Sequence, residues 1–86
     1  MLHLLDPLII EDIQNPEHPS DFIVKDSFVI LILRLPEVKG SVVHITSYSF
    51  IVQDERVYLY NRELNEIKEL GSLTEMNQFL DNKIDN

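Results

Sequence analysis

The feature that most constrains the fold is the apolar run Phe28-Val29-Ile30-Leu31-Ile32-Leu33-Arg34-Leu35, which ends at Pro36. Its eight residues are too few for a transmembrane helix, which needs about 20 residues to cross a bilayer. A short run that is rich in β-branched residues and is bounded by polar residues and a proline is typical of a strand buried on both faces. The run therefore predicts a sheet organised around one strand, with residues 37–40 as the loop after it.

The segments on either side predict an α+β (α/β) fold with a mainly antiparallel sheet of about four strands between a short N-terminal helix and a C-terminal helix. Asp6 is an N-cap residue and Pro7 suits the first helical position, so a helix is expected to begin there and to end near Asn15, before Pro16. The predicted strands are Asp21–Val24, Phe28–Leu35, Ser41–Val52 with a bulge near Ser47, Val57–Tyr60 and a weak edge strand, with a helical turn as the alternative, at Glu66–Leu70.

Both predicted helices carry an apolar stripe that is expected to pack on the sheet. In the first helix Ile9, Ile10 and Ile13 share one face at about 100° per residue, which leaves Glu11 pointing away and Asp12 at the border. Ser72 and Glu75 form a capping box that begins the second helix. Its stripe is interpreted as core packing and consists of Leu73, Met76, Phe79, Leu80 and Ile84.

Length and charge limit the possible functions. The 86 residues predict a single domain, 1–86, with one modest core. The net charge of −8 argues against nucleic acid as a partner, because phosphates attract Lys and Arg. The chain has no cysteine, which excludes disulfides and thiolate metal sites. No transmembrane segment is predicted.

Catalysis is the least favoured class of function. His3, His18 and His44 lie far apart in the sequence and lack the spacing of metal ligands on one helix, so surface or loop positions are expected for them. The sequence contains no nucleophile elbow and no glycine-rich phosphate loop. We therefore do not expect an enzyme.

The stretch Asp6-Pro7-Leu8-Ile9-Ile10-Glu11-Asp12-Ile13-Gln14-Asn15-Pro16 resembles the cytoplasmic domain of the CorA family of divalent-cation transporters. Strands that match Phe28–Leu35, Tyr48–Val52 and Arg56–Tyr60 follow in the family's order, so the resemblance covers nearly the whole chain. The chain departs from the family at Glu17-His18-Pro19-Ser20, where members commonly have Gln-Arg-Pro-Lys. The family's long stalk helix, its two membrane helices and its Gly-Met-Asn signature are missing from this sequence.

The resemblance implies that the chain is a partial cytoplasmic domain of a Mg²⁺/Co²⁺ transporter, which contributes to Mg²⁺ sensing and gating and does not transport by itself. Family members are pentamers in which carboxylates between neighbouring subunits bind regulatory Mg²⁺ and hold the pore closed. The family's Glu-Asp pair maps onto Glu11 and Asp12, and its partner carboxylate comes from the stalk helix of a neighbouring subunit. Members that carry Co²⁺, Ni²⁺ or Zn²⁺ share this region, so the resemblance does not specify the transported ion.

The location implied by the resemblance is the cytoplasmic side of the inner membrane for the parent protein, with this fragment soluble. The alternative function is a stand-alone acidic protein-interaction module that has no role in metal transport and binds through an acidic face or an exposed strand edge.

Overall fold

The computed structural model describes residues 5–84, apart from the side chain of Ile84. His3 and the side chain of Ile84, which the sequence analysis singled out, lie outside the described part. The helices and strands are α1 (Pro7–Gln14), β1 (Asp21–Val24), β2 (Val29–Lys39), β3 (Val42–Gln53), β4 (Arg56–Asn61), β5 (Glu66–Gly71) and α2 (Leu73–Ile84).

The strands form one five-stranded antiparallel sheet in the order β1-β2-β3-β4-β5. The predicted α+β class with two flanking helices is confirmed, and the predicted number of about four strands is corrected to five. The fifth strand is Glu66–Gly71, in a region where the sequence predicted either a weak edge strand or a helical turn. This segment pairs with β4 and is an edge strand. The run at residues 28–35 lies in β2, and β3 is the central strand.

The β2–β3 hairpin is longer than its neighbours. β1 pairs with β2 up to Ile32, and β4 pairs with β3 from Phe50 onward. Beyond those positions the hairpin continues as a two-stranded arm, residues 33–49, closed by a two-residue turn at Gly40-Ser41. Gly40 has φ of +65°, a conformation that glycine adopts without steric cost.

The expectation that the strand ends at Pro36 and that residues 37–40 form a loop is wrong. Pro36 pairs with Ile45 inside the arm. The amide of Arg34 donates to Ser20 Oγ on the outer side of β2, at 3.0 Å, so the amide position of Pro36, two residues later, faces the same outer side. β1 has already ended there, so the missing N–H breaks no bond to β3, and a strand tolerates proline at such an edge.

The predicted bulge near Ser47 is also wrong, because the β2–β3 register is continuous from Val29↔Val52 to Lys39↔Val42. The alternation of apolar residues breaks at this point since Ser47 and Ser49 occupy inward-facing positions, and each is 1% exposed. The register shift that does occur lies between Val57 and Tyr58 in the β4–β5 pairing.

One helix packs on each face of the sheet. We call the side that carries Ile30, Ile32 and Ile51 the α1 face, because these buried residues form the core cluster with Leu5, Ile9, Ile13 and Tyr60. The opposite side, the α2 face, carries Tyr48 and Phe50, whose rings meet the ring of Phe79 edge-on at 5.5 and 5.8 Å. Both faces of β2 are apolar as predicted, but the residues on its α2 face are half-buried.

The capping box of α2 is confirmed. Glu75 Oε2 accepts from the Ser72 amide at 2.8 Å, and Ser72 Oγ accepts from the Thr74 amide at 3.3 Å. Met76, Phe79 and Leu80 are half-buried as the stripe predicts, whereas Leu73 is 55% exposed and lies outside the packing. Leu73 is the first residue of α2, and helical spacing alone does not bury a residue that no strand of the sheet covers.

Candidate functional site

Helix α1 holds the predicted carboxylates on a rigid support. Oδ1 of Asp6 accepts from the Ile9 amide at 3.0 Å, and Pro7 occupies the first turn as predicted. This bond to the Ile9 amide lowers the pKa of Asp6 below its ordinary value, and Lys25 at 3.5 Å contributes in the same direction. Ile9 and Ile13 are buried against the α1 face. The helix is thereby fixed in rotation, and so are the directions of its polar side chains.

Glu11 and Asp12 lie where the helical spacing predicts. Glu11 is exposed, and Asp12 is half-buried at the border of the apolar face. Adjacent residues of a helix point about 100° apart, so the two carboxylates diverge from each other. They form a pair that an outside cation reaches from solvent, and they do not form a closed site.

The carboxylate of Asp12 has an imidazole neighbour that the sequence analysis missed. Nε2 of His18 lies 3.5 Å from Oδ1 of Asp12, and Nδ1 of His18 lies 2.8 Å from the carbonyl oxygen of Pro19. The His18 side chain is 16% exposed and that of Asp12 is 40% exposed. His18 is a half-buried loop residue and His44 is exposed on β3, so both lie in the surface or loop positions that the sequence predicts.

The loop that carries His18 crosses the base of the arm on the α1 face. The Ser47 amide donates to the Pro16 carbonyl at 3.2 Å, and Ser47 Oγ donates to the His18 carbonyl. On the neighbouring strand, Nη1 of Arg34 donates to the Glu17 carbonyl at 2.8 Å. Since Arg34 and Ser47 are paired across β2 and β3, both strands hold the loop at one level of the arm.

Arg62 joins the end of α1 to the same place. Its Nε donates to the Ile13 carbonyl at 3.3 Å and its Nη2 donates to the Ser47 carbonyl. Burial lowers the pKa of Arg62, because the charged form loses hydration. The guanidinium therefore satisfies one carbonyl in the last turn of α1 and fixes the helix relative to β3.

The residues at α1 suit part of a magnesium site. Mg²⁺ prefers oxygen ligands and commonly takes one or two protein carboxylates while it keeps several waters. Glu11 and Asp12 supply two such carboxylates, and His18 supplies a competing positive charge when it is protonated. Within residues 5–84, no three His, Asp or Glu side chains come together in a way that would hold a metal ion. The described residues therefore do not form a complete metal site at α1.

A second polar cluster joins α2 to the arm. Nζ of Lys83 lies 3.2 Å from Oε1 of Glu37, and the Tyr48 hydroxyl donates to the same carboxylate. Nζ of Lys83 also lies 5.6 Å from the centre of the Tyr48 ring and 5.5 Å from that of Phe79. A cleft of about 600 Å³ opens beside these residues. Their charges are paired with each other, so the cluster is explained by docking of the end of α2.

Comparisons of the chain with protein-family models, with curated proteins and with solved structures give no match. Among residues 5–84, neither α1 nor α2 has the length and apolar character that crossing a membrane requires.

His18, Ser47, Arg34 and Arg62 are the residues of the site that sequence analysis missed. The signal for His18 was present in its position between two prolines and six residues after Asp12, on a loop too short to carry it far from α1. The roles of the other three depend on strand register, for which no local signal exists.

Proposed function

We propose that this chain is part of the cytoplasmic domain of a CorA-like divalent-cation transporter and that Glu11 and Asp12 form its half of a Mg²⁺-sensing site. The ion would bridge these carboxylates and an acidic side chain of a neighbouring subunit in the parent oligomer. Binding would then hold adjacent domains together and favour the closed pore. The transported ion in this proposal is Mg²⁺ or a related divalent cation, and the sensing domain lies on the cytoplasmic side of the membrane.

One observation carries the proposal, namely that α1 presents two carboxylates outward from a buried support. Ile9 and Ile13 are 4% and 0% exposed, whereas Glu11 is exposed and Asp12 half-buried. A buried face beneath exposed acidic residues is common to amphipathic surface helices, and here it gives the two carboxylates a rigid support. A site shared between subunits requires it, because each half must stay in place before the ion arrives.

The departure from the family at His18 fits the same proposal. His18 stands where members commonly have an arginine, and here it lies 3.5 Å from Asp12. The imidazole contacts the Asp12 carboxylate and so limits the directions that this side chain can take. Mg²⁺ would therefore bind Asp12 in competition with the His18 contact.

The half-site is tested on the 86-residue chain with Mn²⁺ as a paramagnetic probe. We expect Mn²⁺ at sub-stoichiometric amounts to broaden the NMR signals of residues around Glu11 and Asp12 first, and we expect Mg²⁺ to reverse the broadening with an affinity of about 1–10 mM. The double variant Glu11→Gln/Asp12→Asn keeps the shape of the helix and should abolish this local effect. Broadening that begins elsewhere, or that persists in the variant, would refute the half-site.

The sensing role is tested in the parent protein. Asp12→Lys should remove the protection that Mg²⁺ gives against limited proteolysis. Asp81→Lys makes the same charge change at an exposed position of α2 and should leave the protection intact. Unchanged protection in Asp12→Lys places the sensor elsewhere. A coding sequence without downstream membrane segments would refute the transporter itself.

The alternative function, a stand-alone interaction module, is favoured by a different observation. Six of the nine large apolar side chains that are exposed among residues 5–84 lie on the arm and on β1. On the arm these residues are Val38, Val42, Val43 and Ile45, and on β1 they are Phe22 and Val24. Apolar residues that cluster in this way mark sites of protein contact. This second function would be favoured if Mn²⁺ does not bind at α1 and the chain still binds a protein partner through the exposed apolar residues of the arm and β1.

A further inference from the structure

The first strand of the sheet has an open outer side. Within residues 5–84 β1 pairs with β2 alone, so its other side carries no strand. Phe22 and Val24 are 62% and 65% exposed on the α2 face of this strand. Exposed edge strands with apolar side chains are templates for pairing with another strand. β1 is therefore a candidate surface for association.

The hydrogen-bonding groups that β1 offers are fixed by its pairing with β2. The Lys25 amide donates to the Phe28 carbonyl at 2.9 Å, so Lys25 faces β2. Successive residues of an antiparallel strand alternate in direction, which turns Val24 outward, Ile23 inward and Phe22 outward. The open side therefore carries the N–H and C=O groups of Phe22 and Val24, of which the Phe22 N–H is bonded to the Asp21 carboxylate.

The sequence of β1 and the next residue, Asp21-Phe22-Ile23-Val24-Lys25, is complementary to itself when two copies run antiparallel. With Ile23 opposite Ile23 of a second copy, Phe22 faces Val24 and Asp21 faces Lys25. The two outward-facing residues then form hydrogen-bonded pairs with each other, which gives four backbone hydrogen bonds across the two-fold axis. A shift by two residues in either direction loses two of these bonds and both opposite-charge pairs.

We propose that β1 is a self-association surface through which two copies of this chain form a continuous ten-stranded sheet, in the register that places Asp21 opposite Lys25. Its side chains support the register on both faces. Phe22 and Val24 form apolar cross-strand pairs on the α2 face, and Asp21 and Lys25 form charged pairs on the α1 face. The Asp21 carboxylate, which now accepts from the Phe22 amide at 2.8 Å, exchanges that bond for the pair with Lys25.

The surface is small, and the chain carries a charge of −8, so the dimer is expected to be weak. We expect sedimentation at about 0.15 M salt to show a monomer–dimer equilibrium at about 10–1,000 μM. In hydrogen exchange the amides of Phe22 and Val24 should gain protection as concentration rises, while that of Ile23 should stay constant. A chain that remains monomeric at 1 mM would overturn the proposal, and the β1 edge would then be free to bind a different partner.

Backbone pairing is tested by Val24→Pro, which deletes an outward N–H and leaves the bonds to β2 in place. Dimer formation should be lost, whereas Val24→Thr, which keeps the N–H and a β-branched side chain, should retain it. The NMR spectra of both monomers should show an intact sheet. Equal dimerisation of the two variants would overturn the proposal.

The register is tested by charge exchange. Because Lys25 also lies 3.5 Å from Asp6, all proteins in this comparison carry Asp6→Asn, which keeps a helix-capping side chain. In that background Lys25→Asp places two acidic residues opposite each other at both ends of the interface and should weaken the dimer about ten-fold or more. The double variant Asp21→Lys/Lys25→Asp restores opposite charges and should recover most of the affinity. Lys68→Asp changes the net charge as much on the far edge of the sheet and should have little effect. Failure of the double variant to recover, relative to Lys25→Asp, would overturn the register.

Discussion

His18 lies with Nε2 at 3.5 Å from Oδ1 of Asp12, so the proline loop places an imidazole against one of the two carboxylates proposed for metal sensing. The contact joins two residues that are six positions apart in the sequence, one at the end of α1 and one in the loop after it. It also means that the candidate site is assembled by a loop whose own position is set by the arm.

Replacement of His18 should change metal affinity at α1 in a direction set by charge. His18→Arg places a permanent positive charge beside Asp12 and should weaken Mn²⁺ binding about two- to five-fold, because one nearby charge in a solvated setting is worth up to about 1 kcal/mol. His18→Ala removes the contact with Asp12 without adding a charge and should not weaken binding. NMR line broadening measures both, with the exposed His44→Ala as control. Equal affinities in all four proteins would show that His18 does not act on Asp12.

Two buried serines on one face of β3 should respond oppositely to the same substitution. Ser47 Oγ donates to the His18 carbonyl, so Ser47→Ala should lower the free energy of unfolding by about 1–2 kcal/mol. Ser49 Oγ is buried without a hydrogen-bond partner among residues 5–84, so Ser49→Ala should be neutral or stabilising by up to about 1 kcal/mol. Urea denaturation compares the two variants. A larger loss for Ser49→Ala would contradict the hydrogen-bond assignment.

The β3–β4 turn stores strain that glycine should relieve. Asp54 and Glu55 have φ of +51° and +64°, as a two-residue hairpin turn with matching twist requires. Residues other than glycine, Asn and Asp pay a steric cost in this region, so Glu55→Gly should raise the free energy of unfolding by about 0.5–1 kcal/mol. Glu69→Gly in β5 is the control and should lower it by a similar amount. Thermal unfolding measures both, and destabilisation by Glu55→Gly would contradict the turn geometry.

Two helix caps should make stability depend on acid pH. The Ile9 amide lowers the pKa of Asp6 from its ordinary 3.8, and the Ser72 hydroxyl lowers that of Glu75 from its ordinary 4.5. Both groups bind a proton less readily in the folded chain, so their contribution is complete above these values and is lost as pH falls. Stability should therefore drop between about pH 5 and pH 2, and less steeply in Asp6→Asn/Glu75→Gln. Parallel curves for the two proteins would contradict the assignment.

Helix α1 and its carboxylates were predictable because their determinants are local. A cap at Asp6, a proline at Pro7 and a second proline at Pro16 define the start and end of the helix, and its periodicity places Glu11 outward. The same holds for the cap of α2. In each case the deciding contacts lie within four residues of each other along the chain.

The errors at Pro36 and Ser47 have a different origin. A proline ends a strand where the backbone N–H at its position would have to pair with a neighbouring strand. Whether this applies to Pro36 depends on how far along β2 the pairing with β1 extends. A polar residue such as Ser47 can occupy a buried position of a strand when a distant segment accepts its hydrogen bond. Here that segment is the loop that carries His18. Tertiary contacts decide both positions, so local pattern misjudges them.

Pro36 also bears on aggregation. Arms of this kind expose backbone along both flanks and invite fibre growth by strand addition. On the outer flank of β2, the Arg34 amide is already bonded to Ser20, and the next outward position is Pro36, which has no N–H to give. A strand that approached the arm from that side would meet two successive outward positions, residues 34 and 36, without a free N–H donor. Pro36 thus acts as a gatekeeper, and Pro36→Ala should raise the rate of fibril formation detected by thioflavin fluorescence.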